Sequence, residues 1–201
     1  MVRNGELFTS WLVDFVEVIR DSTVGYPLRD ASLAGDLKAW TSSLTKAVVL
    51  SCERMQWRAA GKAHKLELLP KAGQEYLSLD VMGFDPGSLC GRWPLPVAAF
   101  ELENHPTDDR VAYSLWKVLC VKVDLRVVFA FRTDWDTSSR SVEAIADDVI
   151  GSLSLQQLHD LTGDTAMIFG NRGNAGNFPD GFFKSYLLDK EFKRFIKADR
   201  N

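Results

Sequence analysis

Cysteine is scarce in this chain: three among 201 residues, at positions 52, 90 and 120. They are odd in number and widely spaced, with no CxxC pair. Neither a zinc site nor a disulfide framework follows, and reduced, packed thiols in a cytoplasmic protein are expected. No apolar run approaches the roughly 20 uninterrupted residues of a membrane span, so no membrane partner is expected. The stretch ELFTSWLVDFVEVIRD near the start is punctuated by acids and has no signal-peptide pattern. A basic excess is missing too: 24 Lys and Arg face 27 Asp and Glu, a net charge of −3. Any nucleic-acid surface must therefore be local.

Several catalytic signatures are also missing. His64, His105 and His159 are too dispersed for a zinc motif, and no G-x-S-x-G elbow occurs. Residues 170–181, GNRGNAGNFPDG, carry glycine at 170, 173 and 176, three apart, without the Gly-Lys-Ser/Thr of a phosphate loop or the spacing of a dinucleotide fingerprint. A flexible loop is expected there, with Arg172 and Lys184 able to touch a phosphate backbone.

What remains is ordinary in amount: 46% hydrophobic and 25% charged residues, enough for one core and a single domain over 1–201. Leu7, Trp11, Leu12, Phe15, Val18 and Ile19 form an amphipathic stripe that predicts a helix over 6–20. A loop is expected through 21–30, then a long helix from about Ser32 to Ala60, with Ser32 or Asp36 as N-cap and Gly61 as stop. The period then becomes two. HKLELL and EYLSLDVMGF read as a hairpin turned at PKAG, and VAAFELE as the following strand. PTDDRVAYSLWKVLCV predicts a helix that Thr107 can cap, and LRVVFAFR a strand buried on both faces. A helix through SRSVEAIADDVIGSL, a short one at LQQLHDL, a strand at TAMIFG and a closing helix at DKEFKRFIKAD complete the order. The fold class expected is α/β, a mixed sheet of about five strands flanked by helices. Its core spans about 35–170, and a loop and helix fill 171–201. Of the six tryptophans, Trp11, Trp40 and Trp57 fit helix packing, whereas Trp135 follows a strand in a loop, where functional residues concentrate.

The informative stretch is VAAFELENHPTDD, residues 97–109. Alternate strand residues share a face, so Glu101 and Glu103 project together, about 6.6 Å apart. Asp80, late in the preceding strand, joins them if the two strands are neighbours. At that distance a like-charge pair costs roughly 2.5 kcal/mol at an effective dielectric of 20. A proton, a basic side chain or a metal would relieve it, and a hard divalent ion suits carboxylates best. Acids at strand ends also commonly face solvent, and that reading stands beside the metal one.

A helix, a hairpin with Asp80 in its second strand, a strand ending Glu101-x-Glu103, then a helix and a strand resembles the PD-(D/E)XK nuclease superfamily, the restriction-endonuclease-like fold, over about residues 35–132. The resemblance implies that Asp80 and Glu101 hold Mg2+ (or Mn2+) in a phosphodiesterase acting on DNA, or on RNA, with a homodimer as one arrangement. The family's lysine position falls on Glu103, which would complete the site; Lys117 on the following helix is then the candidate lysine. Lys117 also reads as a side chain whose stem packs beside Trp116 while its head stays wet. Glu53, in the helix before the hairpin, sits where the superfamily sometimes places another metal-site acid, although a solvent-facing helical Glu is the simpler reading. Asn104 and His105 follow the acids and could contact water or phosphate. Two competing readings are a catalytically inactive binding or assembly module of the same fold, and an unrelated α/β binding protein.

Overall fold

The structure, a computed structural model, describes residues 5–67, 69, 73, 75–88 and 93–198. Helices α1 (Glu6–Arg20), α2 (Ser22–Ala34) and α3 (Leu37–Arg54) precede strands β1 (Arg58–Gly61), β2 (Val81–Phe84) and β3 (Ala98–Leu102). Helix α4 (Asp108–Leu119), β4 (Leu125–Arg132), α5 (Trp135–Ile145), α6 (Leu155–Asp160) and β5 (Asp164–Asn171) follow. The chain closes with β6 (Phe183–Asp189) and β7 (Arg194–Lys197). The fold is α/β, a mixed sheet flanked by helices. It has seven strands rather than about five, ordered β1 to β7 exactly as the chain runs. β3, β4 and β5 are parallel neighbours, and the remaining pairs are antiparallel.

Side-chain alternation divides the core into two layers. Phe100, Leu102, Val127, Phe129, Phe131 and Ile168 face α1, α2 and α3, where Trp11 packs 5.0 Å from the Phe100 ring and 5.3 Å from Phe15. Ala99, Val128, Ala130, Met167 and Phe169 face α4 and α5. β4 and β5 are buried at every position, the pattern of strands covered on both sides. Asp164 fixes α1 to this sheet: its two carboxylate oxygens accept the Gly5 and Phe8 backbone N–H at 2.8 and 2.9 Å. Those are donors that a helix start leaves without partners.

Four expectations change. Residues 21–30 are helical: Asp21 caps α2 by accepting the Thr23 N–H, and α2 packs so tightly on α1 that a Cβ at Gly25 would lie 2.0 Å from the Ile19 carbonyl oxygen. Of the two N-caps expected for the long helix, Asp36 holds the position, capping α3 through the Ala39 N–H, while Ser32 lies in α2, which ends at Gly35 with φ 67°. Residues 58–61, expected to be helical, form β1 and pair with β2. Of HKLELL, His64 and Leu66 form isolated bridges only. The extended path toward β2 is interrupted where Leu77 and Ser78 take φ of 55° and 57°; Pro70, Lys71, Ala72 and Cys90 lie outside the described residues. The closing helix is instead the β6–β7 hairpin. Asp189 accepts the Glu191 and Phe192 N–H, Lys193 turns with φ 51°, and sheet pairing prevails over a weak helical period. Among the described residues no helix is long and apolar enough to cross a membrane.

Candidate active site

The register of β2 against β3 pairs Val81 with Phe100 and Met82 with Ala99. One step further, Asp80 falls opposite Glu101. Because Phe100 and Leu102 face α1–α3, Glu101 faces α4, as does Asp80 by its parity with Met82. The period-two reading of the acids therefore places both carboxylates on one face, near the carboxyl end of the parallel strands. In open α/β sheets that is the end at which ligands bind.

Glu101 is 4% exposed. Its Oε2 lies 2.8 Å from Lys117 Nζ and accepts the Ser114 hydroxyl at 3.3 Å. Its Oε1 is buried without a hydrogen-bond partner among the described residues. Burial pushes this carboxyl up to about 7; the Lys117 hydrogen bond works against the rise and the Asp80 charge adds to it. One lysine near one oxygen does not offset the lost hydration of the whole carboxylate. Asp80 is raised as well, first by its own burial, although its Oδ2 accepts the Leu102 N–H at 2.7 Å.

Lys117 is the lysine that approaches the acids. It lies off the buried Val111–Leu115–Val118 stripe of α4, and Nζ donates to the Ser78 carbonyl at 2.7 Å as well as meeting Glu101. The packed-stem, wet-head reading does not describe it, since its side chain is only 22% exposed and its head is held on both sides. The Ser78 carbonyl reaches it because Leu77 and Ser78 adopt the left-handed turn, a conformation costly for residues with a Cβ.

The other expected residues divide. Glu103, just past β3, accepts the His105 N–H at 2.7 Å, and its charge is among those that raise Asp80. It stands beside the pair, tied to its own loop. Glu53 is set apart. Helix α3 packs on the opposite sheet face. Its Thr45 Cγ2 and the Asp80 carbonyl oxygen lie 3.2 and 3.0 Å from where a Gly61 Cβ would be; Glu53 is eight residues beyond Thr45, about 12 Å along the axis. It is exposed and lines a different cavity with Glu17 and Asp21. Asn104 donates to the Thr41 hydroxyl of α3, while its Oδ1 is buried without a partner among the described residues. His105 Nδ1 lies 2.9 Å from the Thr107 hydroxyl, and Thr107 takes the N-cap position of α4 without a side-chain cap. Trp135 is the first residue of α5, with Lys184 Nζ 4.1 Å from its ring centroid. Residues 172–177 form a 3-10 turn in place of a featureless loop.

Ser114 and the Ser78 carbonyl are the contributors that sequence reading missed. Ser114 has a weak signal, lying three residues before Lys117 on one side of α4. The carbonyl has none.

Among the described residues no group of three or more His, Cys, Asp or Glu side chains is arranged to hold a metal ion. The two-carboxylate pair is a different arrangement. Mg2+ is commonly held by one or two carboxylates, with water and substrate phosphate filling the other positions. The partnerless Glu101 Oε1 is an oxygen such an ion would use. No family model, no curated protein and no solved structure matches this chain.

Proposed function

We propose that this chain is a metal-dependent phosphodiesterase of restriction-endonuclease-like fold acting on a nucleic acid, DNA in the first instance. One observation carries the reading: Asp80 and Glu101 meet across β2 and β3, with Lys117 Nζ 2.8 Å from Glu101 and Glu101 Oε1 left without a partner. The connectivity supports it. The resemblance implies a helix, a hairpin, a strand ending in the acids, a helix and a strand, and α3-β1-β2-β3-α4-β4 follows that order with Arg58–Gly61 in place of HKLELL as the first strand of the hairpin.

Asp80 and Glu101 would hold Mg2+, which supplies Lewis acidity at the phosphoryl oxygen and a more acidic water. Lys117 would orient the attacking water or bear the charge that builds on the phosphoryl oxygens. Ser114 and the Ser78 carbonyl fix where Glu101 and Lys117 point. Glu103 would complete the acidic rim without taking the role of the family's lysine.

A second reading, an inactive module of the same fold, rests on Lys117 itself. Its ammonium already sits against Glu101, where a cation is needed. Two measurements on one sample separate these readings: Mn2+ binding by calorimetry, and cleavage of DNA and RNA in millimolar Mg2+. The nuclease reading expects both, and loss of both in Glu101→Gln with the fold intact. A sample that neither binds Mn2+ nor cleaves either polymer supports the inactive module. Cleavage undiminished in Glu101→Gln removes the site assignment.

A further inference from the structure

Away from Glu101, helix α4 presents Tyr113 and Trp116, 54% and 53% exposed, with ring centroids 5.8 Å apart. They form one wall of a cleft of about 370 Å³, across from Asp148 and Ser152, with Asp109 at one end. That volume lies within the range of small ligand sites. Asp148 comes from the five-residue π-helical stretch Ala146–Ile150 that continues α5, an irregularity found mostly at functional positions. None of the lining residues is basic. Arg110, three residues before Tyr113 and about 60° from it around the helix, is not among the residues that line the cleft.

Two other exposed aromatic side chains carry a cation that this pair lacks, whereas Trp93, 64% exposed, resembles the pair in having none among the described residues. Arg29 lies 4.6 Å from the Tyr26 ring centroid and Arg194 5.0 Å from that of Phe192. The half-buried Trp135 ring is covered by Lys184. Among the described residues no cation covers Tyr113 or Trp116, although theirs is the aromatic pair that two exposed carboxylates flank. Ring faces and carboxylates attract the same ligand, an organic cation. The same two aspartates repel a phosphate backbone, so stacking of a nucleobase on Trp116 is disfavoured despite the chemistry proposed at Lys117.

We propose that this cleft binds the cationic side chain, Arg or Lys, of a basic segment in a protein partner. The inference does not depend on the phosphodiesterase reading. It is tested on the full chain by NMR, titrating a decapeptide rich in Arg and Lys and, separately, oligothymidylate, while the Trp116 indole signal is followed. The peptide is expected to shift that signal, with weaker binding at high salt. Asp109→Asn with Asp148→Asn, both exposed positions, is expected to weaken binding about tenfold. Trp116→Phe should retain most of the affinity and Trp116→Ala lose it. Unchanged peptide affinity in the double variant overturns the proposal. So does a Trp116 signal that responds to oligothymidylate and not to the peptide.

Discussion

Asp164, 5% exposed at the start of β5, and Glu101, 4% exposed near the end of β3, are equally withdrawn from water. Their surroundings differ. Both oxygens of Asp164 accept backbone N–H groups at the beginning of α1, where the helix dipole also favours negative charge. Glu101 has one oxygen shared between a lysine and a serine, one oxygen without a partner, and a second acid opposite it. Asp164 lies at the amino end of the parallel strands and Glu101 toward the carboxyl end. Burial by itself therefore does not set the two apart. Incomplete satisfaction at the carboxyl end of the parallel strands does.

The sharpest way to break that contrast is to remove each carboxylate. Asp164→Ala leaves two buried N–H donors without acceptors and releases α1 from β5, and should cost about 4 kcal/mol of stability. Urea denaturation at pH 7 measures it. A loss under about 1 kcal/mol would mean that Asp164 is not the anchor described. Glu101→Gln removes no comparable anchor and should leave stability at pH 7 unchanged or higher.

The next effect is the dependence on pH. Glu101 titrates near 4.5 when unfolded and about 7 when folded, so between these values the native state binds the extra proton. Stability from this group is full below about 4.5 and is lost as pH rises through about 7. The whole loss is on the order of 3 kcal/mol. Metal-free wild-type protein should therefore lose stability across that window, and Glu101→Gln should show a flatter profile. Superimposable profiles would place Glu101 in wetter surroundings than the structure gives it.

How much of this was legible beforehand depends on the range of the interactions involved. The shared face of Asp80 and Glu101 follows from strand alternation once β2 and β3 are neighbours, and Lys117 is marked by lying off the apolar stripe of α4. Both are local patterns. The Ser78 carbonyl that holds Lys117 depends on left-handed turns at Leu77 and Ser78, neither of which is the glycine that sequence rules look for. Asp36, one of the two N-caps read for the long helix, was legible because a cap acts on its own first turn. The β6–β7 hairpin depends on pairing with β5, a long-range contact that outweighs the spacing of Phe192, Phe195 and Ile196. Glu53 was legible in its plain form: a solvent-facing helical acid, exposed on α3, a helix that packs on the opposite sheet face.

The smallest expected effect comes from Asp80→Asn, and it tests whether the two acids act as a pair. The Asp80 charge raises Glu101, and the Asp80 Oδ2 that accepts the Leu102 N–H can be replaced by the amide oxygen of Asn. With that hydrogen bond kept, stability should change by less than about 1 kcal/mol. The Glu101 midpoint should fall, because removing a like charge favours the ionised form. Carboxyl 13C NMR across pH 4–9 reads the midpoint directly. A midpoint that stays at about 7 would assign the whole rise to burial and leave Asp80 outside the electrostatic unit. A fall would show that Glu101 differs from Asp164 through its acidic neighbour as well as its partnerless oxygen. That coupling is what a shared cation would relieve.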